Sequence, residues 1–318
     1  MKRIFFILPI LFCLTACWDY VEPSSENYVL GMGIDYADGK YLVAIETVKI
    51  TGEAASLSSS EGVVTQGIGE TLYAAVKNAT TTAGKSLYWG HMEIIFLSED
   101  IAKNRLYTVL DLISRTPDIY SNVDLSVAKD CSAADILSAK IPQGAMASVH
   151  ITNIFENEAA THRFRCCSLW QLKQNTPHAL IPAIYLEDTP LVSGCAVFQN
   201  GNLQGYLNGD EVFLFSLIED GAAGGFLPDI TIDNTILSTE ILDVKAKQDK
   251  IDIIVAISNS NKPFDAENPE KRKNLETKIT ELISEQVDSL EAKPFVNLLS
   301  YDKYDIRVSV KSSGLTKR

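Results

Sequence analysis

The feature that most limits how this chain can fold is its irregular mixture of hairpin and helix patterns. Asp38-Gly39 and Asn200-Gly201 each separate two apolar, alternating segments, as two-residue β-hairpin turns do. Helical stripes interrupt the strands, and the most regular stripe covers residues 270–292. Because strands and helices do not alternate as regular βαβ units, the pattern predicts an α+β fold with antiparallel or mixed β-sheets flanked by helices.

Two further segments have helical patterns. Leu72, Ala75 and Ala79 fall on one helical face, and Gly84 is placed to end that helix. Residues 143–183 are mostly helical in pattern, and we expect Trp170 and Leu172 to be buried anchors there. These patterns predict helices between the hairpins in the first and middle thirds of the chain.

The length of the chain bounds the number of folding units. With 318 residues and a hydrophobic content of 46%, two or three compact units are expected. The predicted division is residues 1–16 as signal peptide, 17–27 as lipidated tether, 28–130 as N-terminal α+β domain, 131–192 as mainly helical middle region, and 193–318 as C-terminal α+β domain with one long helix at 270–292.

The charge of the chain argues against one class of function. The formal net charge is −13 and the isoelectric point is about 4.8. Nucleic-acid binding needs clustered Lys and Arg to neutralise phosphates, so a nucleic-acid partner is not expected. An acidic surface also gives anionic lipids no reason to attract the domain itself.

The amino terminus has the pattern of an export signal. Lys2 and Arg3 precede the apolar run Ile4–Leu14, which is too short to span a bilayer comfortably. The segment Leu14-Thr15-Ala16-Cys17 resembles the bacterial lipobox, in which the cysteine receives a diacylglycerol thioether and becomes the first residue. We therefore predict that Cys17 is the lipidation site, with an ordinary signal peptide and a coincidental cysteine as the alternative.

Motifs that carry enzyme chemistry are missing from the sequence. It contains no GxSxG, HExxH or GxxxxGK[ST] segment. Gly31-Met32-Gly33 and Gly67-Ile68-Gly69 lack the third glycine of a dinucleotide fingerprint, so we interpret them as turn or strand-packing glycines. Residues 221–225 could hold an anion through backbone amides, although a flexible connector is the more frequent use of such a run.

Histidines and cysteines are few and scattered. His91 opens an apolar strand. The other three histidines have no evident carboxylate partner at fixed spacing: His150, His162 and His178. Four cysteines follow the lipobox: Cys131, Cys166, Cys167 and Cys195. They are compatible either with free buried thiols or with a disulfide between distant positions. A zinc site from His162 and the Cys166-Cys167 pair lacks the usual ligand spacing. The sequence therefore predicts no catalytic, cofactor-binding or metal site.

Several short motifs follow Cys17 in a fixed order. Trp18-Asp19 comes directly after it, and the strand motif Gly31-Met32-Gly33-Ile34-Asp35 comes next. The later motifs are Gly90-His91-Met92-Glu93, Ser98-Glu99, Arg115-Thr116-Pro117-Asp118, Val127-Ala128-Lys129, Ile181-Pro182, Gly194–Phe198 with Asn200-Gly201, and Gly205-Tyr206-Leu207-Asn208. In this order they resemble the C-subunit lipoproteins of spore germinant receptors, the Ger(x)C family. The chain departs from that family at Tyr120, where a second arginine is usual, and at Lys293–Lys303, where the family segment is longer.

The resemblance implies a three-domain α+β lipoprotein without catalytic residues or cofactors. It implies a lipid-anchored location on the outer face of the spore inner membrane. It also implies two partners, a multi-spanning A-type receptor subunit and a transporter-like B-type subunit, with which the chain would respond to nutrients and trigger germination.

Two other functions are compatible with an exported chain. A solute-binding lipoprotein that delivers a small ligand to a transporter would need a cleft between two similar lobes, and the sequence shows no such paired organisation. A secreted hydrolase would need His, Asp and Ser side chains brought together by the fold.

Overall fold

The computed structural model describes residues 25–48, 62–173, 178–219, 221, 224–247, 250–293, 295 and 305–311. The predicted signal peptide (1–16), Cys17 and most of the predicted tether (17–27) lie outside these residues. Within the described ranges, the strands form two sheets and helices pack on them, so the predicted α+β class is confirmed.

The larger sheet is mixed. Its strands follow the spatial order β3-β2-β1-β5-β6-β7-β8-β9, and β4 pairs with β1. The central pairs β1–β5, β5–β6 and β6–β7 are parallel, whereas the hairpin pairs on both sides are antiparallel. The strands are β1 Glu26–Ala37, β2 Lys40–Val48, β3 Val63–Gly69, β4 Ser86–Tyr88, β5 Ile94–Ser98, β6 Asp124–Ala128, β7 His178–Leu186, β8 Pro190–Gln199 and β9 Asn202–Leu207.

The smaller sheet lies in the carboxyl-terminal part of the chain. Its order is β10-β11-β12-β13, with β13 parallel to β12 and the other pairs antiparallel. The strands are β10 Ile230–Ile232, β11 Thr235–Lys247, β12 Lys250–Ser260 and β13 Asp305–Lys311.

The helices pack on these sheets. Their bounds are α1 Leu72–Ala83, α2 Leu106–Ser114, which follows a π-helical turn at Ile101–Arg105, α3 Ala133–Ser138, α4 Ala147–Phe155, α5 Glu158–Thr161, α6 Leu169–Lys173, α7 Gly209–Glu219 and α8 Pro269–Glu291. Among the described residues, no helix combines the length and apolar character needed to cross a bilayer.

Local sequence signals explain the best-predicted helices. The Thr71 hydroxyl accepts the N–H of Ala74 at the start of α1, and Gly84 ends that helix in the left-handed conformation. Asn268 caps α8, and Pro269 occupies the first helical position, where its missing N–H costs nothing. The buried face of α8 is the predicted stripe, formed by Leu275, Ile279, Ile283, Val287 and Leu290.

The two predicted Asx-Gly hairpins are confirmed. Asp38 and Gly39 have φ values of 52° and 79°, and Asn200 and Gly201 have values of 50° and 78°. A two-residue type I′ turn requires the left-handed region at both positions, which Asn, Asp and Gly tolerate best. These turns join β1 to β2 and β8 to β9.

The helical prediction for residues 143–183 is correct only in part. Helices α4, α5 and α6 end at Lys173, and β7 then starts at His178. The sheet takes up this apolar segment because it pairs with both β6 and β8. Pro182, which cannot donate a ladder hydrogen bond, lies where the β7–β8 register shifts.

The predicted burial of Trp170 is wrong. Its side chain is 54% exposed, whereas the neighbouring Leu169 is buried. Helix α6 has only five residues, so it turns one narrow face to the core, and Trp170 falls on the other side. Leu172 packs against the core as predicted.

The large sheet also extends across one of the predicted domain limits. The limit at 192/193 falls inside β8, where Val192 pairs with Ile184 of β7. Strands β1 to β9 thus share one hydrogen-bonded sheet, and the second sheet begins at Ile230.

Candidate functional site

The histidines lie in separate local settings. His91 is exposed just before β5, and His162 ends α5 with a left-handed φ of 52°. His150 lies within α4, and His178 opens β7. In the parts of the chain that the structure describes, no group of three or more His, Cys, Asp or Glu side chains is arranged to hold a metal ion.

The four cysteines after Cys17 are free thiols. Burial raises the pKa of Cys131 to about 11 and the pKa values of Cys167 and Cys195 to about 12. Burial also raises the pKa of Cys166, with Glu158 adding to the effect. Because a thiol reacts as its thiolate, these cysteines are poor nucleophiles at neutral pH.

Gly224 and Gly225, at the end of the glycine run, are joined to β11 rather than open to an anion. The N–H of Gly224 donates to the carbonyl of Ile241 at 3.0 Å, and the N–H of Ile241 donates to the carbonyl of Gly225 at 3.1 Å. The Gly224 amide is therefore already used, and the connector interpretation fits these residues better.

The strand motif Gly31–Asp35 holds a helix terminus. The Asp35 carboxylate accepts the N–H groups of Ala133 and Ala134, at 2.8 and 2.9 Å, at the start of α3. A Cβ on Gly33 would lie 2.9 Å from the Ala133 carbonyl oxygen, so only glycine lets the helix approach this closely. The motif therefore packs a helix onto a strand and caps it.

A second clamp lies beside the first. Glu46 of β2 is the register partner of Gly31, and its carboxylate accepts the N–H groups of Ala147 and Ser148 at 3.0 and 2.8 Å. A Cβ on Gly31 would meet the Ser148 hydroxyl. Burial raises the pKa of Glu46, and likewise that of Asp35, although the backbone N–H bonds oppose the shift.

Other motif residues meet at the carboxyl ends of β5 and β6. The Lys129 ammonium lies 2.6 Å from carboxylate oxygens of both Glu99 and Asp130, and 5.1 Å from the centre of the Tyr206 ring. The backbone N–H of Lys129 also donates to the Ile184 carbonyl at 2.8 Å. This cluster ties β6, β7 and β9 together, which is a structural role.

An acidic cavity of about 610 Å³ lies at the amino ends of β5 and β6. Four carboxylates line it, from Glu93, Asp124, Glu156 and Glu158. Its described lining residues include no Lys or Arg. The Thr152 hydroxyl donates to Glu93 at 3.0 Å, and the N–H of Cys166 donates to Glu158 at 3.0 Å. We refer to this feature as the acidic cavity.

Asp124 is the most perturbed carboxyl group in the acidic cavity. Burial, with smaller contributions from Glu158 and Glu93, raises its pKa to about 6. No described side chain forms a hydrogen bond or an ion pair with its carboxylate. The protonated form is therefore favoured by folding, and the cavity gains negative charge as the pH rises through about 6.

The Asp124 shift predicts a pH-dependent stability. Its stabilising contribution is complete below pH 4 and is lost as the pH rises through about 6. Asp124→Asn should therefore raise the free energy of unfolding at pH 7.5 by about 1–2 kcal/mol, after allowing for solvent screening of a half-exposed group. Urea unfolding at pH 4 and pH 7.5 measures this difference. An equal effect of the substitution at both pH values would contradict the assignment.

Sequence reasoning missed Glu46 and Asp124. Glu46 sits in the apolar segment Ala44–Val48, where a lone acidic residue on a strand signals a buried partner. Asp124 is the first residue of β6. Its neighbours in the acidic cavity come from distant segments, so no local sequence pattern indicates that these residues lie together.

The described residues form a mixed sheet with clamped termini on α3 and α4 and an acidic cavity. A family model described as the spore germination protein N-terminal domain matches residues 19–186, which is more than half of the chain. The chain therefore belongs to this family, and the resemblance predicted from its motifs is confirmed.

A named relative agrees with this assignment. The "Putative spore germination protein YfkR" of Bacillus subtilis (strain 168) is 25% identical over 145 residues. The match covers 42% of this chain and 37% of that protein, so the chain spans little more than a third of the relative it matches.

Proposed function

We propose that this chain is a non-catalytic, lipid-anchored subunit of a nutrient germinant receptor that spores need for germination. In this proposal it assembles with membrane-embedded A-type and B-type subunits on the outer face of the spore inner membrane. The observation that carries the proposal is the family match from residue 19 onward, directly behind the lipobox that ends at Cys17.

The interior of the described structure supports a scaffold role. The motif residues that the sequence singled out pack helices and join strands, as Gly33, Asp35 and Lys129 do. The thiols of Cys167 and Cys195 are buried with raised pKa values, which suits packing more than nucleophilic attack. The two sheets also differ in size and strand order, which is unlike the paired lobes that a solute-binding protein needs.

The proposed anchor makes a direct prediction. Cys17→Ala removes the thiol that would carry the diacylglycerol, and a protein with no acyl chain loses its stable membrane attachment. We expect the variant to move from the membrane to the soluble fraction of spores and to impair nutrient-triggered germination.

The control is a serine-to-alanine change in the same region, Ser24→Ala, which leaves Cys17 in place. Immunoblots of membrane and soluble fractions, with germination followed by loss of optical density, measure both effects. Full membrane retention of the Cys17→Ala protein would rule out the lipid anchor.

A further inference from the structure

Exposed aromatic side chains flank the acidic cavity. Tyr120 lines it with 58% of its surface exposed. On the other side, His91 lines the cavity and its ring centre lies 5.6 Å from that of the part-exposed Tyr88. Large aromatic side chains left in water around a concavity are typical of a protein docking surface.

The aromatic rim is defined by Tyr88, His91 and Tyr120, and its Tyr88–His91 part lies where the described chain begins. Tyr28, at the start of β1, is 5.4 Å from the ring centres of both Tyr88 and His91. Seven residues lie between Cys17 and Ser25, and the eight Cα-to-Cα steps that join them span at most about 29 Å. An anchor at Cys17 therefore keeps Ser25, where the described chain begins, within that distance of the membrane surface.

Charge decides which kind of partner the rim fits. The cavity between its two sides carries four carboxylates and no compensating Lys or Arg among its described lining residues. Anionic lipid headgroups are repelled by such a surface, whereas ammonium and guanidinium groups are attracted to it. Tyrosine faces beside the carboxylates also favour cations and the alkyl stems that carry them.

We propose that the aromatic rim and the acidic cavity together dock a Lys- or Arg-rich segment of a protein in the same membrane. The proposal deepens the proposed function and rests on it, since the anchor is what brings the surface to the membrane. Cationic side chains enter the cavity and pair with Asp124 and its neighbours, while the rim covers their apolar stems.

The test uses the purified full chain in a nonionic detergent, with labelled hexa-arginine as the probe and hexa-citrulline as its neutral match. We expect hexa-arginine to bind about tenfold more tightly, because citrulline keeps the shape but removes the charge. Asp124→Asn and Tyr120→Ser should each weaken hexa-arginine binding about fivefold to tenfold, as measured by fluorescence anisotropy.

Matched controls separate the surface from the overall charge of the chain. Glu285→Gln on α8 and Tyr107→Ser on α2 change an exposed carboxylate and an exposed aromatic residue away from the cavity. These variants should bind like the unchanged chain. Equal weakening by controls and test variants, or no weakening by either test variant, would overturn the proposal.

A bilayer is the other possible occupant of the rim. Vesicles of phosphatidylglycerol, mixed with the Cys17→Ala chain, should not bind it in a flotation assay. Flotation that Tyr120→Ser abolishes would assign the rim to lipid and overturn the proposal. Because peptide binding in detergent does not need the anchor, failure here is distinct from failure of the Cys17→Ala membrane test.

Discussion

Gly67→Ala should lower the free energy of unfolding by about 3 kcal/mol. A Cβ at this position would lie 2.2 Å from the Ala79 nitrogen and 2.3 Å from the Ala75 carbonyl oxygen. Both are backbone atoms of α1, so no rotamer change can relieve the clash. The helix must move away from β3, which opens the packing of the buried Ala75 and Ala79.

Urea unfolding followed by circular dichroism measures this effect. Gly39→Asn is the matched control, because Gly39 has open space around it and Asn tolerates its positive φ. The control should change the free energy of unfolding by less than about 1 kcal/mol. Equal unfolding midpoints for Gly67→Ala and the unchanged chain would show that α1 does not pack as described.

Asp35→Ala should destabilise the chain by about 3 kcal/mol, through loss of the clamp on α3. The substitution leaves the buried N–H groups of Ala133 and Ala134 without their acceptor. The burial that raises the pKa of Asp35 shows that the carboxylate is itself costly to desolvate, which offsets part of the loss.

Hydrogen exchange locates the effect of Asp35→Ala. The amides of Ala133 and Ala134 should exchange faster than in the unchanged chain, because their hydrogen bonds are gone. Asp135→Ala in the same helix is the control, since Asp135 is exposed and forms no clamp. Unchanged exchange at residues 133 and 134 in the Asp35 variant would contradict the clamp.

Sequence patterns predicted elements whose cause is local. The turns at Asp38-Gly39 and Asn200-Gly201 require positive φ, and few residues other than these supply it. Helices α1 and α8 have their caps and apolar stripes within their own segments. The family resemblance was equally readable, because it depends on the order of short motifs and not on their contacts.

Elements whose cause is non-local were predicted poorly. Strand β7 looked helical because its apolar run has no clear period, and only pairing with β6 and β8 makes it a strand. Trp170 looked buried because large aromatic residues usually are, yet α6 is too short to bury two faces. Burial raises the pKa of Asp124, and Glu158 and Glu93, which lie far from it in sequence, add to the shift.

The sequence by itself determined the fold class, the family and the position of the proposed anchor, because composition, turn chemistry and motif order are properties of short segments. Tertiary structure alone decided what the motifs do. It placed Gly33 and Asp35 against a helix about a hundred residues away, and it assembled the acidic cavity from separate segments. Such contacts arise from packing between distant parts of the chain, for which local sequence carries no signal.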